Sequence, residues 1–234
     1  SATDTNATDN VTGDAMTPSG MTESSASAAM SGAGPTTAMA TASNVSSQSW
    51  IYTGDFHTST PQQITGSIQL KATDVGATAA GADRADVVSR FTYPATNGSL
   101  YVVRFTCVSP PGTTAANFGG VGILRPVFGS TGVGWVDFPK TLAYIAVFGN
   151  ATITKDGATV ADNVPAAAMV VMAIHDPTNQ ALMTEPDPTR REIYLIVPGA
   201  MMSGGTAVPE FPSGNFCIYW PDAALDIRNI GGTV

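Results

Sequence analysis

Two histidines, His57 and His175, and two cysteines, Cys107 and Cys217, are the side chains in this 234-residue chain best suited to nucleophilic, acid–base or metal chemistry. A zinc site gathers His, Cys or carboxylate ligands at short, regular spacings. His57 follows Asp55 and His175 precedes Asp176, and neither arrangement is a spaced ligand pair. Serines abound, but no G-x-S-x-G nucleophile elbow accompanies them. Paired carboxylates are the tools of glycoside hydrolysis. The glutamates are Glu23, Glu185, Glu192 and Glu210. None falls at the centre of a strand-like run, and Glu185 sits in a loop-like EPDP, so all four read as solvated loop acids. The dibasic pair Arg190-Arg191 reads as a solvated loop feature too. The residues thus predict no catalytic group, no cofactor and no metal.

Cys107 and Cys217 lie in the apolar runs RFTCVS and FCIYW, where a free thiol behaves as a small buried hydrophobe. Trp50, Trp135, Phe138 and Trp220 are large enough to anchor a contact with another subunit, because big aromatics dominate such interfaces. The tryptophans also suit sugar stacking or plugging the ends of a sandwich. Sequons at Asn6, Asn10, Asn44, Asn97 and Asn150 would be glycan acceptors in a secreted protein, although a chain this rich in Ser and Thr makes several by chance.

Charge narrows the functional classes. Only 12% of residues are charged, against roughly 25% in ordinary soluble domains. A surface so poor in charge suits burial against other protein. The net charge is −8 and no run of Lys or Arg exists, so the sequence predicts at most weak contact with nucleic acid. No apolar stretch approaches the roughly 20 residues of a membrane helix. The SATDTNATDN start lacks the basic and apolar regions of a signal peptide.

The elements that must position these residues fall into two regions. Residues 1–49 carry no Lys, Arg, His or aromatic residue, and are rich in Ser, Thr, Ala and Gly. Such a composition cannot bury enough apolar surface to offset the entropy of ordering. The segment reads as a low-complexity N-terminal arm, either a linker or a strap across neighbouring subunits, with Met30 and Met39 as its candidate contacts. From Trp50 the chain becomes short apolar runs broken by Gly, Pro, Asn and Asp, the pattern of an all-β domain over 50–234. Strand-like runs occupy 62–71, 86–93, 100–108, 121–128, 141–149, 168–175, 192–198 and 215–220. The run at 100–108 places Tyr101, Val103, Phe105 and Cys107 on one face, and Arg104 and Thr106 on the other. Pro126 marks an edge or a bend. The run 141–149 is apolar on both faces and suits a central strand. Asp156-Gly157 between 151–155 and 158–160 is a strong two-residue hairpin signal. No run keeps a helical period, save for one short helix that 72–86 has room for. Eight strands with uneven loops predict an antiparallel jelly-roll sandwich rather than an evenly spaced up-and-down barrel.

The acidic, Ser/Thr/Ala-rich arm before such a domain resembles capsid subunits of picorna-like viruses. The stretch GSLYVVRFTCVSPPG resembles their middle strands leading into a Pro-rich loop, and GNFCIYWPDAALDI resembles a late strand running into a C-terminal tail. The resemblance implies a structural capsid protein. Its partners would be copies or sibling subunits in an icosahedral shell around viral RNA, assembled in the host cytoplasm and found in the virion. A secreted or cell-surface β-sandwich that binds carbohydrate or acts as an adhesin is the alternative, with a glycoside-active jelly roll as a third reading.

Overall fold

The computed structural model describes residues 38–44, 48–54, 60–74, 83–109, 120–199 and 208–229. These form eleven strands: β1 Ala38–Asn44, β2 Gln48–Thr53, β3 Gln62–Asp74, β4 Arg84–Tyr93, β5 Ser99–Val108, β6 Val121–Val127, β7 Thr141–Lys155, β8 Ala158–His175, β9 Leu182–Val197, β10 Phe216–Pro221 and β11 Ala223–Asn229. No α-helix occurs among the described residues. Every pairing is antiparallel.

Eight strands close on themselves in the ring β2-β3-β4-β5-β7-β8-β9-β10, with β10 returning to β2. Apart from the β6 excursion and the closure, each strand pairs with its neighbour in sequence. That is an up-and-down barrel order. A jelly roll needs Greek-key pairings between distant strands, so the structure corrects that expectation while keeping its all-β, antiparallel, eight-stranded core. The uneven spacing that argued against an up-and-down barrel has a local cause. Between β5 and β7 the chain leaves the ring: β6 turns Val121, Ile123 and Leu124 into the interior, and residues 127–138 then cover the outer surface.

Two long strands change partner half-way. The first half of β3 pairs with β2 and its second half with β1, while β4 lies along its other edge. The first half of β7 pairs with β6 and its second half with β5. The barrel therefore splays at both strands into a sandwich-like shape. Strand β1 extends it from β3 and carries β11 on its far side.

Strand alternation explains the core. In β3, Ile64, Ile68, Leu70 and Ala72 are buried, while Gln63, Thr65, Ser67, Gln69 and Lys71 are exposed. The same alternation buries Val87 and Phe91 of β4, and Tyr101, Val103 and Phe105 of β5. They meet Ile145, Val147 and Ile153 of β7, Val170 of β8, Leu195 of β9, and Phe216, Ile218 and Trp220 of β10 in one interior cluster. Membrane barrels turn their apolar band outward, and β3–β5 do the reverse. No helix among the described residues is long and apolar enough to cross a membrane.

A second apolar cluster lies on the outside of the ring. Met169, Val171, Tyr194, Ile196, Cys217 and Tyr219 point away from the interior and are covered by Val127, Phe128, Val133 and Phe138. This sheath is why β7 to β10 read as apolar on both faces: each face has its own cluster. Pro126 does lie in an edge strand, since β6 pairs with β7 alone. Asp156 and Gly157 form the expected hairpin, with φ of 49° and 87°, as a turn with two left-handed residues requires.

Several expectations need correction. Residues 38–44, assigned to the arm, form a strand of the chain's own sheet, and the boundary at 49/50 falls inside β2. Met39 lies on β1, opposite Thr73 and Arg228, whereas Met30 lies outside the described residues. The middle of the possible helix at 72–86 also lies outside them, and its two ends are strand. Cys107 is exposed, because the β5–β7 register shifts between Phe105 and Cys107 and alternation breaks there. Cys217 is buried as expected, and both thiols are free.

Candidate functional site

Two places on this barrel hold polar chemistry. One is enclosed and one is open. The enclosed one lies beneath the sheath, where β8 and β9 run out of register. Ala173 faces Asp187, but His175 faces Leu182, so β9 spends extra residues against two of β8. Such a bulge takes backbone groups out of the ladder. Glu192 of β9 stands in for the missing partners. Its Oε2 accepts from Ile174 N at 3.2 Å and its Oε1 from His175 N at 3.1 Å. Arg190 Nη1 donates to His175 O at 3.1 Å on the carbonyl side.

The imidazole of His175 sits in the same network. Its Nδ1 lies 3.1 Å from Glu192 Oε2 and 2.9 Å from Tyr194 Oη, and its Nε2 lies 2.9 Å from Tyr52 Oη. Tyr194 Oη donates to Glu192 Oε2 at 2.8 Å. Tyr219 stacks on the imidazole with centroids 3.9 Å apart and planes 2° from parallel, and its hydroxyl donates to Gln180 Oε1 at 2.9 Å. His175 is 1% exposed and Glu192 0%. Burial above all, with Glu192 and Cys217 or Tyr52 adding repulsion, raises the pKa of the Tyr52, Tyr194 and Tyr219 hydroxyls. Burial, followed by Glu192, likewise raises that of the Cys217 thiol. The phenols and the thiol therefore stay protonated near neutrality, and a protonated buried thiol is a poor nucleophile.

Fully enclosed and fully bonded, this His–Glu pair can hold two strands together but cannot meet a substrate. The reading of Glu192 as a solvated loop acid is corrected here, since it is a buried strand residue. The Arg190-Arg191 pair is also in β9 rather than a loop, with the Arg191 guanidinium 5.3 Å above the Tyr144 ring. Glu185 is exposed as expected but belongs to the same strand. Glu210 bonds Lys155 at 2.8 Å on the surface. His57 and Glu23 lie outside the described residues.

The candidate interface anchors divide. Phe138 and Trp220 are 1% and 0% exposed within their own domain, in the outer and inner clusters respectively. Neither offers surface to a neighbour, which corrects their assignment. Trp50 and Trp135 are half-buried at the margin of the outer cluster.

The open place is the opposite wall, the outward face of β3, β4 and β5. Register places Gln69, Val88, Arg104 and Thr152 in one row across the wall, and Ser67, Arg90, Val102 and Thr154 in the next. Lys71 and Asp86 stand opposite one another in a third row, and Thr73 and Arg84 in a fourth. Lys71, Arg84, Arg90 and Arg104 are exposed, and among the described residues none of their side chains makes an ion pair or hydrogen bond. These are four of the chain's 10 Lys and Arg residues, gathered on a protein of net charge −8. Asp86 is the sole acid on the outward positions of these strands, and Asp162 lies at the margin, bound to Thr152. Polar alternation in β3 to β5 was legible in the sequence, but the gathering of the cations depends on register. Comparison with known proteins finds no matching family model, no matching curated protein and no matching solved structure.

Proposed function

We propose that this chain is a non-enzymatic recognition module, a β-barrel of the secreted or cell-surface carbohydrate-binding or adhesin kind. The observation that carries this reading is the asymmetry of the barrel's outer surface. One wall is sealed by the chain's own residues 127–138 and encloses its only buried acid–base pair among the described residues. The other wall is left polar, exposed and cationic. A rigid sheet face of unpaired polar side chains favours binding over catalysis, because recognition needs a fixed surface and a reaction needs an enclosed site. Glycan-array binding by the intact chain, together with its mass in solution, tests the proposal. Binding by a single-chain species supports it. A multi-subunit particle with no glycan binding overturns it.

The capsid-subunit reading stays as the second proposal, and the low share of charged residues favours it. Against it stand the up-and-down strand order, the pairing of residues 38–44 within their own sheet, and the internal burial of Phe138 and Trp220. Recovery of large, uniform, closed particles from expression of the chain would reverse this ranking.

A further inference from the structure

We infer that the outward wall of β3, β4 and β5 binds an acidic polysaccharide, one carrying carboxylate or sulfate groups among free hydroxyls. The inference rests on the recognition-module reading and names its ligand class. Three observations bear on it together. The first is charge. Arg90 and Arg104 stand on neighbouring strands in adjacent rows, and such diagonal positions lie roughly 7–8 Å apart. Lys71 and Arg84 extend the cations along the sheet. Without ion partners among the described residues, all four keep their donors for a ligand, and a guanidinium can grip a carboxylate or sulfate with two parallel bonds.

The second observation is what surrounds the cations. Val88 and Val102 complete the square that Arg90 and Arg104 make, and Gln69, Ser67, Thr152 and Thr154 stand at the ends of the same two rows. Hydroxyls and amides both donate and accept, which matches sugar hydroxyls between widely spaced anions. The third is what the wall lacks. No aromatic side chain occupies its outward positions. Stacking of neutral sugar rings or of nucleic-acid bases would call for one. Polyphosphate is also disfavoured by the net charge of −8, which repels a densely charged polymer at a distance. A polymer with sparser anions, held at short range, meets both conditions.

The test is binding of the full chain to polygalacturonate, κ-carrageenan, dextran and double-stranded DNA at low and raised salt. Binding to polygalacturonate or κ-carrageenan, weakened by salt and absent with dextran, is the expected result. The two acidic polymers distinguish carboxylate from sulfate as the preferred anion. The double variant Arg90→Gln with Arg104→Gln should lose at least about tenfold in affinity. Lys140→Gln, exposed on the sheathed side, should bind as the parent does, and both variants should keep the parent's melting temperature. Equal binding of dextran, or an unaffected double variant, would overturn the inference while leaving the module reading intact. Tighter binding to DNA than to either polysaccharide would overturn it in favour of a nucleic-acid surface. The acidic N-terminal residues are another possible occupant of the wall. If Asp4→Asn, Asp9→Asn, Asp14→Asn and Glu23→Gln together were needed before any polysaccharide bound, the wall would belong to the chain's own arm. Particles with no glycan binding of any kind would reject the module reading itself.

Discussion

Glu192 shows how one side chain can substitute for a stretch of sheet. Its carboxylate accepts from two backbone amides, one phenol and one imidazole position in a region closed to water. Removing it leaves buried donors without partners, which costs more than the bonds themselves gain. Glu192→Ala should therefore destabilise the chain by about 3 kcal/mol or more in chemical denaturation. Glu192→Gln should be intermediate, because its amide keeps one acceptor but turns an NH2 toward donors. The same network sets an alkaline limit. Tyr52, Tyr194, Tyr219 and Cys217 have raised pKa values in the folded state, chiefly through burial. Unfolded, the thiol titrates near 9.0 and the phenols near 10.0. Above those values the unfolded chain has lost protons that the folded chain keeps, so stability is full below them and falls as pH rises. Each group steepens the fall by about 1.4 kcal/mol per pH unit. Denaturation midpoints measured on either side of about pH 10 should show the loss, and Cys217→Ala should make it shallower. Little of this was legible beforehand. Glu192 follows two arginines and precedes an apolar run, so its burial depends on a bulge that no local pattern announces. Asp156-Gly157 was legible, because a two-residue turn is decided by its own backbone preferences.

The sheath shows the same contrast at the scale of an element. Residues 121–128 read as a strand with an edge or a bend at Pro126, and β6 is an edge strand. The destination of residues 127–138, the outer face of β8 to β10, was not legible, because it is set by contacts far away in sequence. The loop is held by Phe128 N donating to Val133 O at 2.7 Å and Gly129 N to Trp135 O at 3.0 Å. Phe128 is buried with φ of 64°, a left-handed backbone that an aromatic residue rarely adopts. Its ring meets Phe138 edge-on at 5.2 Å and Tyr194 at 5.9 Å. Gly134, at φ of 75°, lies so close that a Cβ would come within 2.6 Å of the Phe128 ring. Gly134→Ala therefore combines a strained backbone with a clash against a ring that has nowhere to move. It should destabilise the protein by about 2 kcal/mol. If the sheath opens, Trp135 fluorescence should shift toward that of an exposed indole. Gly132→Ala is the control. It shares the left-handed backbone, but a Cβ there meets nothing within 4 Å, so it should cost clearly less.

Closure of the barrel is a property of the whole molecule. The alternating runs predict strands and their inward faces, but the ring depends on which strands find each other. The β10–β2 pairing joins residues far apart in the chain, and no single run encodes it. The same holds for β1, whose small residues suggested a chain without structure of its own. Their pattern lacks the apolar side chains that mark a strand, yet β3 on one side and β11 on the other supply backbone partners along its length. In this arrangement β1 is the only described strand that pairs with β11. Two truncations separate the roles of strand and preceding chain. Removing residues 1–37 leaves β1 in place. Removing residues 1–44 takes away both ladders at once, leaving the second half of β3 with an open edge and β11 with nothing to pair to. The lost backbone bonds outweigh the entropy regained by the freed segments, so the longer truncation should be less stable than the shorter by on the order of 2 kcal/mol or more. Amide exchange is the sharper measure. Protection at Ala224 and Asp226 of β11, opposite Ser43 and Thr41, and at Leu70 and Ala72 of β3, should survive the first truncation and collapse in the second. Equal protection in the two would mean that β11 is held by something other than β1, and that the N-terminal residues are dispensable to the barrel.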